Sequence, residues 1–252
     1  MKAKIRTRGI VLKLSPFGDT SGIVRIFSRE QGLIGILAKG IRKATDKTQL
    51  IVMQEYEFEL YSPSEAGLYL FCSADPLNES GLYLNPAIWA AAESGIEILE
   101  NMEFSHDETT EYYDLLQKYL SYLEGVKTNG VLIFWRFFLR VLQVAGLDMQ
   151  SRRCALCGGD TEPITGIDLS TGSLVCDGCG RDHHTDSLHR LSAEATRIFN
   201  ALPEIGNHLT EYRLNIRIIS EINELFLSYW NCHYSKPLRL KSLGVLSQFY
   251  PG

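Results

Sequence analysis

Two Cys-x-x-Cys pairs, "CALC" at 154–157 and "CDGC" at 176–179 with eighteen residues between them, constrain this chain more than any other feature. Each pair sets two sulfurs on one tight turn. Two such turns facing each other complete the tetrahedral shell of a zinc ion. Gly158, Gly159, Gly178 and Gly180 give those turns open backbone angles. The expected ligands are therefore Cys154, Cys157, Cys176 and Cys179. Four thiolates leave no position for a reactive water, and neither HExxH nor the HxE of zinc deaminases occurs. The expected zinc is a structural staple. His183 and His184 read as solvated loop residues. Arg152, Arg153 and Arg181 flank the shell, where they either offset its negative charge or touch a polyanion. Cys72 and Cys232 stand alone, so no disulfide framework is indicated.

Charge is distributed unevenly along the 252 residues. Residues 1–50 hold eleven Lys and Arg against three acids, a net of +8. The remainder holds fourteen against twenty-seven, a net of −13. Such asymmetry points to a polyanion partner at the basic end. The same end reads as strands. Apolar, β-branched runs at 9–14, 22–28, 33–38, 50–61 and 68–74 are separated by turn-forming stretches such as "SPFGDTS" and "SPSEAG". In "QEYEFELY", Tyr56, Phe58 and Leu60 alternate with Glu55, Glu57 and Glu59, the pattern of a half-buried antiparallel strand. Five short strands with a long basic connection after the third suit a partly open five-stranded barrel.

From Pro86 the period becomes helical. Asn85 is a good N-cap with Pro86 at the first helical position. "DETTEYYDLLQKYLSYLEG" is a second helix with acids in its first turn, and "GVLIFWRFFLRVLQVAG" a third, apolar nearly all round. Helices resume at about 192–202 and 209–234 after the cysteine segment at 151–185. The expected class is α+β, with a nucleic-acid-binding barrel at 1–80 and a helical domain at 81–252 carrying the zinc module. No apolar run reaches the ~18 residues of a membrane span, and the basic start lacks the apolar stretch of a secretory signal. A cytoplasmic protein is expected.

Binding candidates follow from strand parity. Lys2, Lys4, Arg6 and Arg8 share one face of the first strand. Arg25, Phe27 and Arg29 share a face of the second, cation beside ring beside cation. Lys39, Arg42, Lys43 and Lys47 surround the flexible Gly40. Positive charge with an aromatic platform is what binding of single strands requires. The face of Glu55, Glu57 and Glu59 should repel phosphates, so the expected surface lies away from it. No GxxxxGK[ST], GxGxxG or GxSxG is present, and the chain reads as a binding protein, not an enzyme.

The run "TRGIVLKLSPFGDTSGIVRIFSREQGLIGILAKGIRK", followed by a helical domain with a CxxC…CxxC insertion, resembles the bacterial recombinational-repair family RecO. The resemblance implies an N-terminal OB-fold and a helical C-terminal domain with the zinc module. It implies binding of single- and double-stranded DNA and annealing of complementary strands without ATP. It also implies partnership with RecR, engagement of the acidic C-terminal tail of single-stranded DNA-binding protein, and help in loading RecA. Lys39 and Arg42 match the basic end of the family's "AKG" segment. Arg136 and Arg140, four apart on the third helix among Phe134, Trp135, Phe137 and Phe138, suit capture of an acidic-hydrophobic tail. The competing reading pairs them inside the helical domain with Glu97 or Glu100. Two other functions stay open: a translation-associated OB-fold and zinc protein preferring structured RNA, and a zinc hydrolase or deaminase.

Overall fold

The computed structural model describes residues 3–42, 49–63, 67–147, 149, 153–160, 163–170, 173–182 and 187–252. Strands β1 (Lys4–Phe17), β2 (Ser21–Ser28), β3 (Gly32–Ala38), β4 (Glu55–Tyr61) and β5 (Tyr69–Pro76) come first. They close into a barrel in the order β1-β2-β3-β5-β4, every pair antiparallel except β3 with β5. This is the OB-fold arrangement, fully closed. Strict alternation fills the interior: Val11, Val24, Ile26, Ile36, Tyr56, Phe58 and Leu60 form one apolar cluster. A side chain at Gly9 would come within 2.6 Å of Ile26 and 3.2 Å of Phe58, so only glycine lets β1 lie this close to the core. The ladder slips one residue between Val11 and Lys13, which turns Lys13 outward opposite Arg25.

Helices α1 (Pro86–Glu100), α2 (His106–Glu124) and α3 (Gly130–Val144) follow. Asn85 caps α1 through bonds from the Ala87 and Ile88 amides, as its position before Pro86 predicts. Ser105 and Glu108 close a capping box at α2. The chain then forms two compact units that do not follow a single cut near residue 80. One unit comprises Met1–Leu84 and Met102–Gly125, the other Asn85–Asn101 and Val126–Gly252. α2 thus belongs with the barrel. Its Tyr113 and the preceding Phe104 lie 6.1 and 5.2 Å from the Phe27 ring on the barrel's outer face. Period and caps reveal a helix, but not which neighbour its apolar stripe covers.

In the helical unit α3 is central, as its all-round apolarity implies. Trp135 is fully buried and its indole N–H donates to Asn223 at 2.8 Å. Gly130 admits α1, since a side chain there would meet Ile88 at 2.8 Å. Strands β6 (Ile164–Asp168) and β7 (Ser173–Cys176), helix α4 (Asp177–Asp182) and strand β8 (Leu188–Arg190) build a small sheet in the order β7-β6-β8. Helices α5 (Ala193–Ala201), α6 (Ile216–His233) and α7 (Ser242–Leu246) complete the unit. The helix expected at 209–234 begins only at Ile216, where Asn215 caps it; short 3-10 turns precede it. No helix among the described residues is long and apolar enough to cross a membrane.

Candidate metal centre and nucleic-acid surface

The four cysteines converge. Their sulfurs all lie within 4.8 Å of one another, and Cys157 and Cys176 are 4.0 Å apart. Thiolates around a zinc at 2.3 Å would stand about 3.8 Å apart, so the cluster fits a metal ion, whereas a disulfide needs roughly half that separation. One ligand pair sits on the turn closed by the Gly158 amide on the Cys154 carbonyl at 2.9 Å. The other ends β7 and enters α4, and the Ala155 amide bonds the Leu174 carbonyl at 2.9 Å to tie the two together. The thiols already perturb one another. Against desolvation, which opposes ionisation, backbone N–H groups of Cys176, Cys157 and Leu156 draw Cys154 down to about 6. Hydrogen bonds with the Cys176 and Cys157 side chains push Cys179 up to about 12. An ionised thiol thus opposes ionisation of its neighbour, and a cation at the centre would offset that repulsion. Arg181 pairs with Asp177 at 2.9 Å, and Arg153 is exposed. Arg152, His183 and His184 lie outside the described residues.

The barrel's cations separate into two groups, because register decides what stands opposite each. Lys4, Arg6 and Arg8 do project from one face of β1. That face continues across β4, where Arg6 meets Glu59 and Arg8 meets Glu57. Arg6 donates to Glu59 at 2.6 and 2.8 Å, and Lys4 lies 3.6 Å from it. The hydrogen bond and charge of Arg6, then the charge of Lys4, hold the Glu59 carboxyl below its usual range. The expectation that the acidic face lies away from these cations is thus corrected: basic and acidic residues interleave on one face. Glu55 is engaged too, accepting from the Tyr113 hydroxyl at 2.7 Å.

Phe27 is not a stacking platform. Its face is outward, as parity requires, but Phe104 and Tyr113 cover it and it is fully buried. Arg29 beside it is half-buried and bonds Asp114 of α2 at 3.1 Å. Arg25 behaves otherwise. It is exposed, with Lys13 opposite on β1 and Gly35 opposite on β3. Lys39 and Arg42 are exposed just beyond β3, and Arg42 reaches back to the Gly18 carbonyl at 3.2 Å. Lys2, Lys43 and Lys47 lie outside the described residues. Lys13 was missed because parity in β1 changes at the bulge, which a single sequence does not display.

On α3, Phe134, Trp135, Phe137 and Phe138 are all core residues, so the expected exposed aromatic surface beside the arginines is absent. Arg136 is half-buried and Arg140 exposed, the latter bonding Gln143 at 2.9 Å. Among the described residues Arg136 makes no ion pair with Glu97, whose carboxylate accepts from the Ser242 amide and hydroxyl at 3.1 and 2.7 Å.

Comparison with known proteins decides the family. Residues 1–79 match the model "Recombination protein O N terminal" and residues 85–243 match "Recombination protein O C terminal". The chain belongs to the RecO family. A DNA repair protein RecO of Frankia casuarinae is 28% identical over 196 residues, covering 77% of this chain and 79% of the relative. The DNA repair protein RecO of a Synechococcus strain is 24% identical over 250 residues, covering 94% and 88%. That of an Exiguobacterium strain is 23% identical over 248 residues, covering 96% and 95%. Membership of the RecO family supports a role in DNA repair and recombination.

Proposed function

We propose that this chain is a recombination mediator that binds single- and double-stranded DNA through the Lys13, Arg25, Lys39 and Arg42 face of its barrel. The observation that carries the reading is the register: it gathers Lys13, Arg25 and Lys39 on one outward side of the barrel, with Arg42 at the same hairpin, and all four are exposed. A phosphate backbone is the polyanion that such a group of cations attracts. Lys4, Arg6 and Arg8, matched to glutamates, contribute less.

Annealing of complementary strands without ATP follows from the same physics. Cations that neutralise both backbones lower the repulsion between strands, and base pairing then supplies the free energy. No nucleotide hydrolysis enters, and the protein acts as a binding partner, not an enzyme. The reading extends to RecR, to loading of RecA, and to the acidic C-terminal tail of single-stranded DNA-binding protein. Arg136 and Arg140 are the cations we assign to that tail. It places the protein in the cytoplasm with the nucleoid. Zinc, when bound by Cys154, Cys157, Cys176 and Cys179, supplies cross-linking and no reactive water.

The test is annealing of complementary oligonucleotides, alone and coated with single-stranded DNA-binding protein, beside a titration against structured RNA. Faster annealing of both naked and coated strands is expected. Tighter binding to structured RNA with no annealing would favour the translation-associated alternative.

A further inference from the structure

We infer that Phe17, at the end of β1, stacks one unpaired nucleobase of a single strand held on the barrel's cationic face; this rests on the DNA-binding reading above. Phe17 is 51% exposed at the end of β1. Its surroundings say what it is exposed for. The register sets Lys13 opposite Arg25, Ser15 opposite Ile23, and Phe17 opposite Ser21. These three rows share the outward side of the sheet, because the intervening Val24 points into the core. Gly22 pairs with Ala38, so Lys39 follows directly beside Ser21. The ring therefore shares its row with Lys39 and its face with Lys13 and Arg25. Arg42 bonds the carbonyl of Gly18, the residue after Phe17, at 3.2 Å and brings a guanidinium to the same hairpin.

Phe17 stands four positions along the strand from Lys13, about 13 Å at ~3.3 Å per step. The row between ring and cations is Ser15 and Ile23, a small hydroxyl beside an apolar side chain. An aromatic ring flanked by cations matches a nucleotide: a flat base for the ring and phosphates for the charges on either side. An apolar peptide side chain would use the ring and make no use of the charges of Lys13 and Lys39. A duplex would offer phosphates but no free base. A duplex can use the cations alone; the occupant that uses both ring and cations is a single strand. The same physics that Arg25, Phe27 and Arg29 suggest in sequence is delivered by Lys13, Phe17, Arg25 and Lys39 in space.

The experiment uses the full chain and two labelled strands of equal length, an oligothymidylate and its abasic counterpart, each titrated at several salt concentrations. Phe17→Ala should weaken the oligothymidylate about 5- to 150-fold, the effect of losing one base-stacking side chain. Its salt slope and its affinity for the abasic strand should be unchanged. Phe17→Trp should restore binding and quench a 2-aminopurine placed in the strand. Equal losses on both strands, or no loss on either, would overturn the assignment while the wild-type salt slope still upheld DNA binding by the barrel. A wild type that binds neither strand would sink both readings together.

Discussion

The division of the barrel's cations by register makes a quantitative demand on salt dependence. If Lys13, Arg25, Lys39 and Arg42 each neutralise one phosphate of a single strand, each adds ~0.7 to the log–log slope of affinity against salt, or ~2.8 together. Replacing all four with Ala should flatten the slope by that amount. Across a fourfold rise in salt the variant should then lose roughly 50-fold less affinity than the wild type does. Lys4→Ala with Arg6→Ala should act differently. Both cations are already satisfied by Glu59, at 3.6 and 2.6 Å, so removing them should change the slope by much less than ~1.4. Fluorescence anisotropy of a labelled oligonucleotide measures both, and a thermal melt confirms folding. All six side chains are exposed, so the fold should tolerate their loss. Equal flattening by the two sets would refute the argument from register, and an unchanged slope in the fourfold variant would refute the surface itself.

Glu59→Gln should raise DNA affinity and steepen the salt slope at neutral pH, because it releases Lys4 and Arg6. The wild type should approach that behaviour only in acid: with the Glu59 carboxyl depressed, its ion pairs are intact at neutral pH and are lost as pH falls through a value below the usual carboxylate range. A Gln variant that keeps the wild-type acid response would show that another group titrates. Phe27→Ala should destabilise the barrel unit by about 3–5 kcal/mol in denaturant melts, the cost of removing a buried ring, and leave the salt slope of the folded fraction unchanged. Cys176→Ser, or a strong chelator, should melt the β6–β7–β8 module, which a metal stabilises by an apparent energy on the order of 10 kcal/mol. One zinc per chain in elemental analysis is expected, and metal-free protein with the module intact would contradict it.

Much of the architecture is legible in sequence because it rests on local or strictly periodic physics. The alternation of Tyr56, Phe58 and Leu60 with three glutamates requires a strand with one buried face, and the Asn85–Pro86 pair fixes where α1 starts. The cysteine spacing likewise anticipates the sulfur cluster, since each ligand pair lies within one turn. What escapes is whatever depends on long-range contact. The three-stranded sheet beside the cysteines has strands of three to five residues, too short for their period to register. The attachment of α2 to the barrel follows from Phe104, Tyr112 and Tyr113 meeting a surface distant in sequence.

The binding surface shows where that limit falls most sharply. Up to the bulge in β1, parity along β1 and β2 gives which side chains point outward, and is silent on what waits for them there. Arg6 and Arg25 have the same residue type and the same outward direction, yet one meets Glu59 and the other meets Lys13. Phe27 and Phe17 are both outward rings, yet α2 covers the first and leaves the second in solvent. The bulge between Val11 and Lys13 is the hinge of this difference: it places Lys13 outward on the far side of the covered patch. A strand that is neutralised at one end, roofed in the middle and cationic at the other can present charge to a strand of DNA only at its hairpin end. That is where Phe17, Lys39 and Arg42 also lie.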